Sequence, residues 1–312
     1  MKRFGIFIIA CAAALAEAFN LAAGRTHLSV GAFLGTANPL QTMFLAAFSM
    51  ALVCFLFGLV TGDNSWVDRL WSILPPLYGI FYCVRSWPDM RSAILCILVS
   101  LWGIRLTCNF ARKGGYTGEE DYRWAVLRGK IRNPIMWQLF NLGFISLFQM
   151  LVIALFTSPL HFLYLNRGKA PDISYVIICF AFIGFWLIEA EADREQALFQ
   201  TMKREHMAGK AIPARWDAEV RQGFISSGLF ACSRHANYFG ELGQWLCVAL
   251  AGYLTSGAIF SFAGFVILLA LFAGSTTFTE SISKSKYPMY SEYQKRTSPI
   301  IPWVPESRKT DS

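Results

Sequence analysis

The sequence Cys-Ser-Arg-His-Ala-Asn-Tyr-Phe-Gly-Glu-Leu-Gly-Gln-Trp, residues 232–245, runs from a polar loop straight into an apolar segment. Its polar residues follow the spacing that places side chains on one face of an α-helix: Arg234, Asn237, Glu241 and Gln244. A carboxylate at the start of a membrane helix is costly unless it is hydrogen-bonded, so Glu241 is a functional candidate. The alternative is a polar seam that only joins two helices.

The composition is that of a membrane protein. The chain has 312 residues, of which 55% are hydrophobic and 15% charged, and its mean hydropathy is +0.42. Soluble domains carry about 25% charged residues, so we predict an all-α, polytopic integral membrane bundle. The net charge of +8 fits basic cytoplasmic loops on a lipid bilayer, and nucleic acid is not an expected partner.

Cysteines and histidines show no metal-binding pattern. None of the eight cysteines forms a CxxC pair, and the four histidines are far apart. We therefore predict no metal site and interpret the cysteines as buried thiols.

Apolar segments predict the membrane-spanning helices, because a span needs ~20 apolar residues. The segment 4–23 is either a first span or a signal peptide, because Ala14-Leu15-Ala16 resembles a cleavage site. Pro75-Pro76 interrupts the third span, since prolines free backbone carbonyls that neighbouring groups must satisfy. The candidate spans, about seven or eight in all, are 4–23, 39–61, 69–84, 92–111, 135–159, 173–189, 237–256 and 258–277.

Loop charge orients these helices. The loops 112–133 and 190–234 and the tail from 284 are rich in Lys and Arg, and Lys2-Arg3 begins the chain. Eight spans place all these basic segments on one side, which predicts that both termini are cytoplasmic. The protein would then be a multi-pass protein of a bacterial inner membrane or of the endoplasmic reticulum.

Polar groups are expected to converge at that side. The loop after 189 begins with a helical pattern over 190–207, in which Glu189 and Asp193 lie one turn apart, and 284–296 has the pattern of a short amphipathic helix. Together with Glu280 and the stretch 232–245, these groups would suit an anionic, hydroxyl-rich cofactor. Because no GxGxxG or P-loop motif is present, such a cofactor would occupy a helical cavity.

The stretch Arg-His-Ala-Asn-Tyr-Phe-Gly-Glu, residues 234–241, resembles the RHPNYFGE signature of the DUF1295 branch of the steroid 5-alpha-reductase-like membrane proteins. Residues 227–230 match the approach to that signature, and Ala236 stands where most members have proline. The resemblance implies N-terminal membrane helices over 1–64, a catalytic membrane domain over 65–305 and a polar tail at 306–312. The closing pattern of the family is matched by Glu280, Tyr287, Tyr290, Tyr293 and Pro302.

The resemblance also implies an NADPH cavity in the C-terminal half. The family's motif asparagine and glutamate, which contact the nicotinamide end, carry over to Asn237 and Glu241, and its acidic position before the loop carries over to Asp193. The other cofactor-binding candidates that it implies are Arg221, Arg234, His235, Tyr238, Glu280 and Tyr287. His235 taken alone is more typical of a hydrogen-bonded junction residue.

The substrate half of the resemblance is less complete. In the steroid reductases a carboxylate and a tyrosine polarise the substrate carbonyl; Asp68 falls near the first position, but Trp102 stands near the second. Tryptophan cannot protonate an oxygen. A hydroxyl could come instead from any of three tyrosines, Tyr78, Tyr82 or Tyr122. The alternative for Asp68 is an interfacial charge that is paired with Arg69 or Arg105.

The resulting expectation is a membrane-embedded, NADPH-dependent reductase acting on a carbon–carbon double bond of a lipophilic, steroid- or isoprenoid-like small molecule. Asp68 and Glu241 are its catalytic candidates. The alternative is an S-adenosylmethionine-dependent methyltransferase of the isoprenylcysteine or phospholipid type, which shares a related motif. Those enzymes usually have a second glutamate after the last helix, whereas Ser281 follows Glu280 here. A transporter would require charges buried mid-span in several helices, and the sequence clusters its charges instead.

Overall fold

The computed structural model describes residues 2–22, 38–117 and 120–303, so the predicted polar tail at 306–312 lies outside the described residues. Within these ranges the chain is helical and contains no β-strand. A π-helix occupies Asn141–Phe148, and 3-10 turns occupy Ala214–Trp216 and Ile259–Phe262. The α-helices are α1 (Lys2–Ala22), α2 (Pro39–Thr61), α3 (Trp66–Trp71), α4 (Leu74–Ser86), α5 (Met90–Arg112), α6 (Tyr122–Lys130), α7 (Pro134–Phe140), α8 (Gln149–Thr157), α9 (Pro159–Leu165), α10 (Ile173–Met207), α11 (Asp217–Gln222), α12 (Leu229–Cys232), α13 (Ala236–Ser256), α14 (Ala263–Lys286) and α15 (Tyr290–Arg296).

Among the described residues, five helical stretches are long and apolar enough to cross a membrane: Pro39–Thr61, Met90–Arg112, Pro134–Leu165, Ile173–Met207 and Ile259–Lys286. The chain is therefore an integral membrane protein of helical type. Helix α13 has 21 residues with polar side chains in its first turns, and it is not among these five. The count of seven to eight spans and the cytoplasmic termini stay predictions.

Local sequence sets the ends of the long helices. The side chain of Asn38 caps α2 by accepting from the backbone N–H of Leu40, and Pro39 occupies the first turn, where its missing N–H leaves no hydrogen bond unmade. Gly62 ends the same helix with φ +70°, a conformation that glycine adopts without strain. Asp89 caps α5 in the same way by accepting from Ser92 N–H.

The predicted span 69–84 is not one helix. It is divided between α3, which ends at Trp71, and α4, which begins at Leu74. Pro75 and Pro76 lie in the first turn of α4, where proline is tolerated because the N–H groups there have no helical partner. The prolines therefore start a helix at a point where the apolar pattern predicted its interior.

The described residues belong to two compact units, a first unit (Met1–Cys179 with Leu246–Ile267) and a second unit (Phe180–Trp245 with Leu268–Ser312). In the first unit, aromatic rings pack α1 against α2 and α3: the ring centroid of Phe7 lies 5.1 Å from that of Phe57 and 4.4 Å from that of Trp66. Its largest fully buried side chains include Trp102 and Tyr82.

In the second unit, α10 continues from its apolar part to Met207 without a break. The helix predicted over 190–207 is thus confirmed as the end of a 35-residue helix. Its polar half packs on a buried cluster, which is formed by Ala192, Phe199, Trp216, Val220, Ile225, Phe230 and Ala236. This cluster fixes α11 and α12 beside α10.

The predicted amphipathic helix over 284–296 has different bounds. Helix α14 extends to Lys286, and α15 begins only at Tyr290, because Pro288 cannot continue a helix and disfavours helical geometry in the residue before it. Tyr290 and Tyr293 of α15 are buried against Phe224, with Tyr287 beside them. This aromatic cluster anchors α15 in the second unit.

Candidate functional site

Two glycines bring α13 close to α10. A Cβ atom at Gly240 would lie 2.6 Å from Cβ of Glu189 and 2.8 Å from the carbonyl oxygen of Phe185, and one at Gly243 would overlap the Phe185 ring. Only glycine permits this approach, which is the small-residue packing common between membrane helices. We call this helix pair the α10–α13 seam.

The seam buries several polar side chains. Gln244, whose side chain is fully buried, donates Nε2–H to Oε2 of Glu189 at 2.7 Å and to the carbonyl of Gly240 at 3.1 Å. Its Oε1 atom has no hydrogen-bond partner within the described part of the chain. Glu241 and Asp193 are buried as well, at 7% and 4% exposure. Glu189, Asp193 and Glu241 therefore belong to the same unit, and the Gln244–Glu189 bond was not expected from the sequence.

Asn237 lies one turn before Glu241 on α13. Its side chain is half-buried. The neighbouring Tyr238 ring is stacked on His235 with centroids 5.0 Å apart, and meets Phe272 edge-on at 4.7 Å. The Asn237 side chain is thus partly accessible, whereas the adjacent aromatic ring is fixed by packing.

The Glu280 carboxylate is the centre of a hydrogen-bond cluster. Arg234 donates Nε–H to Oε1 at 2.6 Å and Nη2–H to Oε2 at 3.0 Å, and Gln294 donates Nε2–H to Oε2 at 2.8 Å. His235 Nε2 lies 3.2 Å from Oε1. The Arg234 and Glu280 side chains are each 8% exposed. This buried, bidentate ion pair gives the start of α13 a fixed position.

The same stretch is held to the end of the chain. Arg234 also donates Nη1–H to the carbonyls of Gln294 and Thr297, and its backbone N–H donates to the carbonyl of Ser298 at 2.8 Å. Ser233 Oγ donates to the carbonyl of Ile300 at 2.7 Å. The guanidinium of Arg234 is therefore engaged within the protein, and its observed contacts are those of a positioning residue.

Tyr287 lies beside two lysines. Lys203 Nζ donates to the Tyr287 hydroxyl at 3.1 Å and to the carbonyl of Gly223 at 2.7 Å, and Lys286 lies over the tyrosine ring. Burial alone would raise the pKa of the Tyr287 hydroxyl, but hydrogen bonds and positive charge from Lys203 and Lys286 outweigh it and lower that pKa. A ring against Gly223 is possible because this residue has no side chain and adopts φ +92°.

Arg221 is not part of this arrangement. Its guanidinium pairs with Asp217 one turn earlier on α11 at 2.7 Å, and its side chain is 73% exposed. This is the solvated ion pair typical of a protein surface.

Asp68 lies in the first unit, where its partners are Trp124 and Arg123. Its Oδ2 accepts from Trp124 Nε1–H at 2.9 Å, and Arg123 is 3.7 Å from Oδ1. Arg69, one of the partners considered from the sequence, instead bonds Asp63 at 2.7 Å and the carbonyl of Gly115 at 2.9 Å. Burial raises the pKa of the Asp68 carboxyl, and the Arg123 charge and the Trp124 hydrogen bond oppose this rise only in part.

The three tyrosines that could supply a hydroxyl, Tyr78, Tyr82 and Tyr122, differ in their burial. The hydroxyls of Tyr78 and Tyr82 are buried without a hydrogen-bond partner among the described residues of the first unit. Tyr122 is 56% exposed, and Trp102 is fully buried. Tyr78 and Tyr82 are thus the better placed hydroxyl donors for a ligand within this unit.

The described residues contain no group of three or more His, Cys, Asp or Glu side chains that could hold a metal ion. Two contributors to the candidate site were not found from the sequence, Gln294 and Lys203. Both lie in segments whose charge fits a solvated helix, so only the tertiary contacts distinguish them.

Comparison with known proteins gives a family and a relative. The model of the family DUF1295, described as a protein of unknown function, matches residues 54–297. An uncharacterized protein of Schizosaccharomyces pombe is 32% identical over 289 residues, which cover 88% of this chain and 83% of the relative. No solved structure matches. The matched range includes Asp68, the α10–α13 seam and the Glu280 cluster.

Proposed function

We propose that this chain, which belongs to the DUF1295 family, is an integral-membrane, NADPH-dependent reductase of a carbon–carbon double bond in a lipophilic, steroid- or isoprenoid-like molecule. The observation that supports this most is the half-buried Asn237 amide, which lies one turn from the buried Glu241 carboxylate. A nicotinamide carboxamide has one N–H₂ group and one carbonyl. An amide and a carboxylate side by side match that donor and acceptor pattern.

The buried seam adds a second element of fit. Gln244 Oε1 is an acceptor without a partner in the described part of the chain, and an unmade hydrogen bond at a buried atom is costly. Asn237, Glu241 and Tyr238 would hold the nicotinamide end, while Asp193 lies on the facing helix of the seam. When bound, NADPH would supply the hydride.

The Arg234–Glu280 pair would position the ligand-binding residues, and Asp68 would supply a proton. The Arg234–Glu280 pair fixes the first turn of α13, so Asn237 and Glu241 are presented from a rigid element, which favours precise ligand orientation. Within its own unit, burial raises the pKa of the Asp68 carboxyl, which is the direction of shift that favours a proton donor. Asp68 therefore stays the candidate proton donor.

The test is cofactor-dependent stabilisation of the purified protein in detergent. At ~100 times its dissociation constant a ligand adds about 2.7 kcal/mol to the folded state, so NADPH should raise the melting temperature clearly and S-adenosylmethionine should not. Stabilisation by S-adenosylmethionine alone would assign the chain to the methyltransferase alternative.

Variants of the seam test the residues. Glu241→Gln keeps the size of the side chain and should weaken NADPH binding by the ~1.5–3 kcal/mol of a hydrogen bond to a charged group. Asn237→Ala should act in the same direction, and the double variant should be non-additive, because both residues contact one ligand. Glu292→Gln is the matched control, since Glu292 is an exposed glutamate paired with Lys295 in the same unit. Normal NADPH affinity in folded Glu241→Gln would refute the assignment.

A further inference from the structure

A pocket lies in the second unit, beside a different face of α10 from the one that forms the seam. It has a volume of about 290 Å³ and is lined by Arg194, Glu195, Leu198, Arg215, Trp216, Glu219, Ile225 and Ser227. None of these is a candidate residue of the proposed reductase site. Since a water molecule occupies ~30 Å³ of liquid, the pocket has room for a small polar headgroup.

One of the lining residues, Glu219, has a buried carboxylate oxygen that is not satisfied by a hydrogen bond from the described residues. Glu219 is 6% exposed; its Oε1 accepts the backbone N–H groups of Ser226 at 2.7 Å and Ser227 at 2.8 Å. Its Oε2 has no hydrogen-bond partner in the part of the chain that the structure describes. The two backbone bonds fix the carboxylate orientation, so Oε2 is a preset acceptor that lacks a donor.

A second carboxylate lies nearby. Glu195 Oε2 accepts from Leu229 N–H at 3.0 Å, and Glu195 lines the same pocket as Glu219. Gly228, with φ +59°, packs against the Glu195 carboxylate where any side chain would overlap it. A neutral hydroxyl group could donate to Oε2 but would add no positive charge to a pocket lined by two glutamates. A cationic N–H donor would satisfy Oε2 and would also balance the acidic lining.

Basic groups border the same pocket. Arg215 is exposed and lies with its guanidinium 5.3 Å from the centroid of the Trp216 ring, and Arg194 is paired with Glu191 at 60% exposure. A guanidinium binds phosphate or carboxylate through two parallel N–H groups. The lining therefore pairs an acidic interior with a basic border.

We propose that this pocket binds a primary ammonium group carried next to an anionic group, as in phosphoethanolamine, with Glu219 Oε2 accepting from the ammonium and Arg215 facing the phosphate. The ligand is either a free phosphoethanolamine-type molecule or the same headgroup on a phospholipid. The proposal does not depend on the reductase activity.

The experiment measures melting temperatures of the full-length protein in detergent with three soluble probes. Phosphoethanolamine should stabilise the protein. Phosphocholine, whose quaternary nitrogen has no N–H to donate, and inorganic phosphate should bind at least about tenfold more weakly, a difference of ~1.4 kcal/mol. Equal effects of phosphoethanolamine and phosphocholine would overturn the proposal, and this comparison needs no variant.

The variants test the residues. In Glu219→Gln the amide oxygen can keep the Ser226 and Ser227 N–H bonds, so the atom at the Oε2 position becomes an N–H donor and the phosphoethanolamine response should be lost. Arg215→Ala, at an exposed position, should weaken it. Asp217→Asn is the control, because it removes an acid from the same short helix at a residue paired with Arg221. An unchanged phosphoethanolamine response in folded Glu219→Gln would overturn the proposal.

Measurements in two different lipids distinguish the two possible sources of the headgroup. If the ligand is a phospholipid, nanodiscs containing phosphatidylethanolamine should protect the protein from unfolding more than phosphatidylcholine nanodiscs, and Glu219→Gln should remove the difference. If it is a free molecule, soluble phosphoethanolamine should act equally in both lipids. Failure of every phosphoethanolamine form, with NADPH stabilisation intact, would reject this pocket and leave the proposed function standing.

Discussion

Gln244 and Glu189 are joined by a hydrogen bond of 2.7 Å between the amide Nε2 and the carboxylate Oε2, and neither residue is exposed by more than 1%. A charge this deeply buried requires hydrogen-bond donors, because desolvation of a carboxylate costs several kcal/mol. The bond therefore gives the α10–α13 seam both its register and part of its stability. It also places a polar bond between helices beside the predicted ligand-binding face.

Gln244→Leu tests this bond. The variant keeps the approximate size of the side chain and removes one donor to Glu189, so we expect the free energy of unfolding in detergent to fall by about 1.5–3 kcal/mol. Gln200→Leu on the exposed face of α10 is the control and should change it by no more than ~0.5 kcal/mol. Equal effects of the two substitutions would show that the bond contributes nothing.

The sequence predicted this region in part, and the reasons are physical. The spacing of Asn237, Glu241 and Gln244 predicted a polar face of α13, whereas Arg234, which the sequence placed on the same helix face, lies in the turn before α13. The pattern over 190–207 predicted a helix, because helical periodicity is a local property. The Arg234 contacts with Glu280 and with the carbonyls of Gln294 and Thr297 join segments distant in the chain. No local pattern encodes such contacts.

Hydropathy was less informative about where helices break. It predicted one span over 69–84, whereas α3 and α4 meet there at an interruption. The hydropathy of an apolar run reflects the free energy of transfer to lipid and not the backbone geometry. It therefore predicts Pro75 and Pro76 as an interruption within a helix. Their location in the first turn of α4 shows the other role of proline.

Gly240→Ala tests the close approach of the seam. The added methyl group would lie 2.6–2.8 Å from Glu189 and the Phe185 carbonyl, and backbone atoms cannot move aside without separating the helices. We expect a loss of about 1–3 kcal/mol in unfolding free energy, together with weaker NADPH stabilisation. Gly184→Ala on α10 has no atom within 4 Å of the new methyl group and should be neutral or slightly stabilising. A neutral Gly240→Ala would contradict the packing described for the seam.

Arg234→Lys tests the role of the guanidinium as a positioning group. Lysine keeps the charge but cannot make the two-pronged bond to Glu280 and reach the carbonyls of Gln294 and Thr297. We expect a loss of about 2 kcal/mol or more in stability, since the buried carboxylate keeps fewer donors, and faster amide exchange over 298–303. Arg221→Lys, at a 73% exposed position, should leave both measurements unchanged. If Arg234 instead binds a phosphate group and does not stabilise the C-terminal segment, Arg234→Lys would weaken NADPH binding without altering amide exchange over 298–303.

Asp68→Asn tests the raised pKa of the buried carboxyl in the first unit. A carboxyl whose pKa is higher in the folded than in the unfolded protein favours folding when it is protonated, so its charge destabilises the fold at neutral pH. Stability should therefore increase as the pH falls through the folded-state pKa, and the gain should be complete below the ordinary value of about 3.8. The asparagine side chain of the variant can still accept from Trp124 N–H but has no charge. The variant should thus melt above the wild-type protein at pH 7, and the difference should shrink as the pH is lowered.

Arg123→Gln provides the second arm of the Asp68 test. It removes the nearby charge that lowers the pKa of the Asp68 carboxyl, so in that background the same pH dependence should move to higher pH. Melting curves of the wild-type protein, the two single variants and the double variant, each compared across pH in one detergent, measure both effects. A wild-type protein that is more stable than Asp68→Asn at every pH would show that the carboxylate is stabilised by Arg123 and Trp124, and Asp68 would then be a structural ion-pair partner with no proton to donate.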